Sequence, residues 1–356
     1  MAPEPPDDRG GPFASSGRVV VAVPALNEAQ VIEDVLRSLA AEVRAFADLK
    51  IVVADGGSTD GTVAIVERLA AEFPCIALMT NHGVIQSAGV NLVAKCNSAA
   101  DILVRCDAHA VYPQGYLERL VRTLDRVGSD SVVVPMDCVG RSCFENAVGW
   151  VSDTPIGSGG SAHRGGRRSG FVDHGHHAAF RMASFVATGG YDESFRQNED
   201  AEFDNRLTAH GGRVFLDAGI RIGYHPRSDF RGLWRQYFNY GFGRSRTARR
   251  HPATIRLRQL LVPAHLCILI ASLLLTAATR QLLFLGWPLL YAAILFATSI
   301  VLAGVKRSIC GLLSGPAAGV MHTGWAVGFL TGLALTREPR LRGASSPHNG
   351  LQGGRA

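Results

Sequence analysis

The sequence predicts an α/β fold, a Rossmann-like, doubly wound sheet, followed by helices long and apolar enough to span a membrane. Three observations predict it. Valine- and isoleucine-rich runs alternate with stretches of helical spacing over residues 18–135, the pattern of strands joined by crossover helices. Two of those runs end at an aspartate, Asp55 and Asp107. Two nearly unbroken apolar segments, 259–279 and 281–304, then follow a basic, aromatic stretch, and each is long enough to cross a bilayer.

Residues 18–24 read as a buried parallel strand closed by Pro24, with Ala25-Leu26-Asn27-Glu28 as the turn after it. Over 30–47 the apolar residues Val31, Val35, Leu36, Leu39 and Val43 share one helical face. Residues 49–54 form a second strand. It runs into Asp55-Gly56-Gly57-Ser58-Thr59-Asp60-Gly61-Thr62, a turn that opens a helix to about residue 72. Strands at 75–79, 101–106 and 131–135 and helices at 87–97 and 116–127 continue the alternation. The 55–62 turn holds neither G-x-G-x-x-G nor G-x-x-x-x-G-K-[ST], which counts against a dinucleotide oxidoreductase and a P-loop enzyme. An acid at a strand end suits hydrogen bonding to a base or ribose, with phosphates left to a metal and basic groups.

Arg105-Cys106-Asp107-Ala108-His109 is the stretch around which the chain is organised. It closes the strand Ile102-Leu103-Val104, and the carboxyl edge of an open α/β sheet is where ligands bind. Asp107 and His109 are two residues apart, so both can turn toward one Mg²⁺ or Mn²⁺ ion. The other reading is a capped turn in which Asp107 bonds local amides.

The chain of 356 residues carries a formal net charge of +6. Basic residues crowd between Arg227 and Arg258, just before the apolar segments. That placement favours a membrane surface or phosphate contact over nucleic acid. Seven cysteines without a C-x-x-C pair argue against a zinc ribbon or a disulfide framework and fit a reducing compartment. Residues 1–17 have no apolar core, so they read as a disordered tail rather than a signal peptide, and the soluble part is expected in the cytoplasm. A second disordered tail is expected over 336–356.

Residues 152–170 are rich in Gly, Ser and Arg. They read either as a lid whose Arg164, Arg167 and Arg168 meet phosphate or as a solvated basic loop. His174, His176 and His177 invite a zinc site, but no partner at ligand spacing completes it, His163 lying in the loop and His225 far downstream. A strand or turn lining an acceptor pocket is the better reading, with His177 facing the acceptor. Asn198-Glu199-Asp200-Ala201-Glu202-Phe203-Asp204 opens a helix. The helix dipole explains some of its acids, and a pocket carboxylate at a helix start also suits a general base. Residues 214–222 read as the last strand. The aromatics and arginines of 233–250 suit an interfacial amphipathic helix or a surface helix packed on the domain. The positive-inside rule keeps the arginines before residue 259 and the pair Lys306-Arg307 in the cytoplasm. The third apolar run, 309–335, is loosened by Gly311, Gly315, Pro316, Gly319, Gly324 and Gly328. A full third span and a re-entrant or interfacial segment both stay open.

These motifs resemble those of the inverting glycosyltransferases of family 2, which have a GT-A fold with a Rossmann-like mixed sheet. The chain looks most like the membrane-bound enzymes of exopolysaccharide assembly, of the succinoglycan glucosyltransferase type. The resemblance covers about 18–246 and the membrane tail. Pro24-Ala25-Leu26-Asn27-Glu28 looks like the family's P-x-x-N-E start, which implies that Pro24, Asn27 and Glu28 line the nucleotide pocket. The turn from Asp55 is similar to D-D-G-S-x-D-x-T. It implies that Asp55 lies near the uracil or ribose, with Gly57, Ser58 and Asp60 beside it, while Gly56 replaces the second acid. Asp107-Ala108-His109 stands where the family has D-x-D, which implies Mn²⁺ or Mg²⁺ on Asp107 and His109. Glu199-Asp200 resembles the E-D pair, of which the Asp is the catalytic base. Residues 236–244 sit where processive synthases carry Q-x-x-R-W. That motif is missing, which argues against a cellulose- or hyaluronan-type synthase and leaves Gln236 and Arg244 for the acceptor diphosphate.

The organisation implied is a GT-A domain at 18–226, interfacial helices at 227–258 and a membrane region at 259–335. The function implied is transfer of a sugar, glucose from UDP-glucose, to a polyprenyl-diphosphate-linked saccharide on the cytoplasmic side of the cell membrane. Membrane lipid is a partner and nucleic acid is not. Rival readings are a polyprenyl-phosphate glycosyltransferase, which needs no strong base, and a catalytically silent membrane scaffold. Loss or survival of activity without Asp200 separates the first, and retention of Asp107 with Glu199-Asp200 speaks against the second.

Overall fold

The computed structural model describes residues 15–159 and 166–338. The tail readings at 1–14 and 339–356, and those for His163 and Arg164, lie outside these residues. The strands are β1 (Ser15–Ala25), β2 (Phe46–Asp55), β3 (Ile76–Thr80), β4 (Ile102–Arg105), β5 (Ser131–Val134), β6 (Met136–Cys138), β7 (Gly170–Val172), β8 (His176–Arg181), β9 (Val214–Leu216) and β10 (Ile222–Tyr224). The helices are α1 (Ile32–Ala40), α2 (Thr62–Glu72), α3 (Gln86–Cys96), α4 (Tyr116–Val127), α5 (Cys143–Ser152), α6 (Pro155–Ser158), α7 (Met182–Ala187), α8 (Glu199–Ala209), α9 (Phe230–Arg250), α10 (Leu257–Thr279), α11 (Gly286–Lys306) and α12 (Ser314–Leu335).

The chain divides into two compact units. The first holds the described residues up to Cys138 together with Ala162–Arg196 and Arg213–His225. Its main sheet has the order β3-β2-β1-β4-β8-β5-β9-β7. The strands β3, β2, β1 and β4 are parallel, as the alternation of the sequence predicts. The sheet is mixed because β8 lies antiparallel between β4 and β5. Val19, Val21 and Val23 of β1 join one core with Ile51, Val53 and Val104, while Val20 and Ala22 between them are also buried. A strand covered on both faces needs this unbroken apolar sequence.

Two expected boundaries move for identifiable reasons. The helix expected over 30–47 ends at Ala40, and after one 3₁₀ turn β2 begins at Phe46. Phe46 is buried, and β2 aligns with β1 from Ser15 to Ala25. Pairing with β1 therefore overrides the helical spacing of the last few residues. The single strand expected over 214–222 is two strands in different sheets. Between them Asp217 accepts the Gly219 N–H at 2.9 Å, an aspartate turn that ends the pairing.

The second unit holds the described parts of Val139–Ser161 and Gln197–Gly212 and the chain from Pro226 onward. Three of its segments, Gln259–Thr279, Leu282–Lys306 and Ile309–Leu335, are long and apolar enough to cross a membrane. The third differs from the others. Glycines 324, 328 and 332 line one face of α12, and Cβ atoms there would press on Trp234 O, Phe238 O and Ser245 Oγ of α9 respectively. This small-residue stripe is what lets two helix backbones approach closely. At its far end Arg249 donates to Leu333 O and, at 2.6 Å, to Thr336 O, while Arg250 meets Glu338 at 2.8 Å. Near its start Ser314 Oγ donates to Ala147 O of α5 at 3.2 Å, and His322 Nε2 meets Ile156 O of α6 at 2.7 Å. So α9, read as interfacial or packed from sequence, is packed along its length on α12.

Helix α5 lies just before the loop expected over 152–170, in a stretch for which the sequence reading names no element. It starts on a capping box in which Ser142 Oγ accepts the Glu145 N–H at 3.2 Å and Glu145 accepts the Ser142 N–H at 3.1 Å. Cys143, its first residue, forms a disulfide with Cys310. The cysteine spacing argues against a disulfide framework, and Cys75, Cys96, Cys106, Cys138 and Cys267 form no disulfide. A pair 167 residues apart is brought together only by packing, which spacing does not report.

Candidate active site

Three strand ends meet along one edge of the main sheet. β1 lies between β2 and β4, with Ala25 opposite Asp55 and Ala22 opposite Arg105. The chain leaves β1 toward β2 and β3 on one side and later adds β4 on the other. The gap beyond β1 and β4 is therefore the switch point where α/β sheets bind ligands. Gly89 of α3 lies under this edge. A Cβ there would contact Pro24 Cβ at 3.4 Å and Ala54 Cβ at 3.2 Å, so α3 packs closely against Pro24 and Ala54.

The turns after β1 and β2 are interlocked. The Asn27 N–H donates to Ser58 Oγ at 2.8 Å, and Asn27 Oδ1 accepts the Thr59 N–H at 2.8 Å. The Glu28 N–H donates to Thr62 Oγ1 at 2.8 Å and the Ala29 N–H to Asp60 Oδ2 at 3.0 Å. Asn27 takes φ +58° to make these bonds, a conformation asparagine tolerates better than most residues. Asp60 also accepts from Thr62 Oγ1 at 2.6 Å. That hydroxyl, with the Ala29 N–H, holds its carboxyl below the usual carboxylate range. Asp60 thus fastens one turn to the other.

Asp55 divides its carboxylate between two tasks. Oδ2 accepts the N–H groups of Gly57 and Ser58 at 2.9 and 3.0 Å, and Gly57 closes the turn at φ +95°. Oδ1 is buried and has no hydrogen-bond partner among the described residues. A buried acceptor left over in a well-bonded turn is costly unless something else supplies a donor.

At the end of β4, Asp107 Oδ1 accepts from Gln86 Nε2 at 2.5 Å and lies 3.5 Å from Arg105 Nη2. Arg105 is only 1% exposed, an unusual place for a guanidinium, and it also lies over the Tyr191 ring. Asp107 Oδ2 lies 3.7 Å from His176 Nε2 on β8. His109 is 61% exposed in its side chain and turns Nδ1 to Glu28 Oε1 at 2.9 Å. Asp107 and His176 are a carboxylate and an imidazole of the kind that could together hold a divalent ion. Among the described residues no group of three His, Cys, Asp or Glu gathers as a metal site. Gln86 and His176 are therefore additions to the sequence reading. The antiparallel placement of β8 beside β4 brings His176 to Asp107. The His177 side chain lies outside the described residues.

The remaining candidates stand in the second unit, on α8 and α9. Glu199 is buried, and Asp200 Oδ1 accepts the Ala201 N–H at 2.7 Å. Glu202, fully buried, lies 2.8 Å from Arg206, 3.6 Å from Arg250 and 3.3 Å from His251. Burial raises its pKa, but the hydrogen bonds from His251 and Arg206 and the Arg250 charge outweigh that and hold it low. Its negative charge is thus balanced locally by Arg206, Arg250 and His251. Gln236 donates to Tyr240 OH at 3.0 Å. Arg244 lies two turns further along the same helix and is half-buried.

Residues 20–188 match the family model described as glycosyl transferase family 2. The chain is 40% identical over 311 residues, 87% of its length, to the succinoglycan biosynthesis protein ExoA of Rhizobium meliloti (strain 1021), covering 93% of that protein. The chain belongs to glycosyl transferase family 2. A second relative of this family 2 enzyme is 23% identical over 233 residues, 63% of this chain and 71% of its own. It is the dolichyl N-acetyl-alpha-D-glucosaminyl phosphate 3-beta-D-2,3-diacetamido-2,3-dideoxy-beta-D-glucuronosyltransferase of Methanococcus voltae. Among solved structures, the mannosyltransferase PcManGT of Pyrobaculum calidifontis, in complex with GDP-Man and Mn²⁺, aligns with a TM-score of 0.58. That match has 20% identity and covers 90% of this chain and 88% of the other. The fold of this glycosyltransferase is therefore GT-A, with membrane-length helices after it, as the motifs imply.

Proposed function

We propose that this glycosyltransferase moves glucose from UDP-glucose to a polyprenyl-diphosphate-linked saccharide, with inversion, in exopolysaccharide synthesis at the cytoplasmic face of the cell membrane. The observation that carries this reading is the sheet edge on which Asp55 keeps a buried, unshared oxygen while Asp107 faces His176, in a chain that ends in membrane-length helices. The succinoglycan biosynthesis role of the R. meliloti relative supports the pathway, and the dolichyl-phosphate sugar in the other relative's name supports a lipid-linked acceptor.

In this reading Asp55 Oδ1 accepts an N–H from the uracil. Asn27, Glu28 and Ser58 shape the nucleotide wall through the interlocked turns. A divalent ion held by Asp107 with His176, and with His109 once it leaves Glu28, would neutralise charge on the diphosphate. Asp200 takes the proton from the acceptor hydroxyl as that oxygen bonds to the anomeric carbon from the face opposite the diphosphate, whose bond to that carbon breaks. Glu199 supports the base from the same helical turn. Gln236, Arg244 and His177 serve the acceptor and its diphosphate.

The reading is tested by nucleotide release from the detergent-solubilised enzyme over a panel of nucleotide sugars, with Mn²⁺, Mg²⁺ or EDTA. Metal-dependent UDP release from UDP-glucose, stimulated by lipid-linked saccharide, is expected. GDP release from a GDP-sugar instead would overturn the donor, and transfer onto bare polyprenyl phosphate would overturn the acceptor. Asp55→Asn keeps one oxygen for the Gly57 and Ser58 amides and loses the second acceptor. It should weaken UDP binding about 10- to 100-fold by calorimetry. An unchanged affinity would remove Asp55 from the base site.

The same reading makes α10 and α11 the spans and lays α12 along the cytoplasmic surface. Its start, middle and end bond to α5, α6 and α9, which precede the first span. A C-terminal fluorescent protein should therefore be active and a C-terminal alkaline phosphatase silent. The opposite pattern would mean a third span.

A further inference from the structure

The turn that launches α8 is held from outside its own helix. Asn198, just before Glu199, sits at φ +69°, a left-handed conformation that needs local support. Its side chain does not cap α8. Instead Nδ2 donates to Thr247 Oγ1 of α9 at 2.5 Å, and that hydroxyl donates to Gly243 O at 3.3 Å. Thr247 is 1% exposed, so no water competes for its hydroxyl. The approach at Gly243 is equally close. A Cβ there would lie 2.8 Å from Gln197 O and 3.0 Å from Asn198 Cβ. One turn further along α8, Glu202 meets Arg250, the last residue of α9, and His251 just after it. The first turn of α8 is therefore tied to α9 at two levels, and α9 is itself packed on α12.

We infer that Thr247 and Asn198 are positioning residues for the general base. By fixing the backbone before Glu199, they set the direction in which the Asp200 carboxylate leaves α8. They act through Asp200, so the inference rests on the reading of Asp200 as the base. A base misplaced by an ångström loses rate without losing donor binding.

Thr247→Val removes the hydroxyl at nearly constant volume and leaves the Asn198 amide without its acceptor. The expected result is a kcat lowered about 10- to 100-fold, with donor KM and nucleotide affinity within about twofold. Thr247→Ser, which restores the hydroxyl, should return kcat to within about threefold. Asp200→Asn is measured beside them. A Thr247→Val enzyme with normal kcat, next to an inactive Asp200→Asn enzyme, overturns the positioning role and leaves the base intact. Transfer surviving in Asp200→Asn overturns both. A Thr247→Val enzyme that loses donor binding in step with kcat, or that Thr247→Ser does not rescue, shows a role in folding and overturns the inference.

Discussion

Asp200→Asn is expected to lower sugar transfer by about 10³-fold or more, the upper part of what a positioned general base contributes. Donor affinity should stay within about twofold, because the donor residues lie at the ends of β1, β2 and β4 and in the turns that follow them, and Asp200 lies on α8. The substitution is nearly isosteric. Asn retains an oxygen for the Ala201 N–H that Asp200 Oδ1 now accepts, so the helix start is preserved. The salt network of Glu202 with Arg206, Arg250 and His251 is untouched. The measurement is kcat with saturating lipid-linked acceptor beside the UDP dissociation constant. A variant that transfers at the parent rate would remove Asp200 from the chemistry. It would favour an acceptor that needs no base, such as a bare lipid phosphate.

Asp107→Ala is expected to remove the response of donor binding to Mn²⁺. In the parent enzyme, metal should tighten UDP-sugar binding and support turnover. In the variant the dissociation constant should be the same with Mn²⁺ and with EDTA, and kcat/KM should fall about 10³-fold, the scale of several kcal/mol of charge stabilisation. The substitution also leaves Gln86 and Arg105 without their contact to this carboxylate. Folding must therefore be followed by thermal unfolding alongside. His176→Gln serves as the second arm. It keeps Asp107 and should weaken the metal response by about tenfold, the scale of losing one ligand-sphere partner. A parent-like Mn²⁺ response in Asp107→Ala would place the ion elsewhere.

Much of the fold was legible because it depends on local periodicity. Helix α4 begins and ends where the spacing of Tyr116 to Val127 predicts. The three membrane-length segments follow from apolar length alone. Helix α5 was missed although its start carries a readable signal, Ser142 three residues before Glu145. The end of the first helix was misread because Phe46 fits a helical face and a buried strand equally well, and only pairing with β1 chooses between them.

For the site, the sequence by itself determined which chemistry-bearing residues end the strands: Asp55, Asp107 and the turn residues from Asn27 to Asp60. Strand-end acids and their turns are local features, and a chain must write them in consecutive residues. The tertiary structure decided what each of them does with its atoms. It gave Asp60 to the joint between two turns, left one oxygen of Asp55 unshared, and put His176 beside Asp107. It also tied Asn198 to Thr247 and laid α12 along α9. Those outcomes depend on contacts between segments tens to hundreds of residues apart. Strand order, register and helix packing create them, and residue spacing along the chain does not encode them.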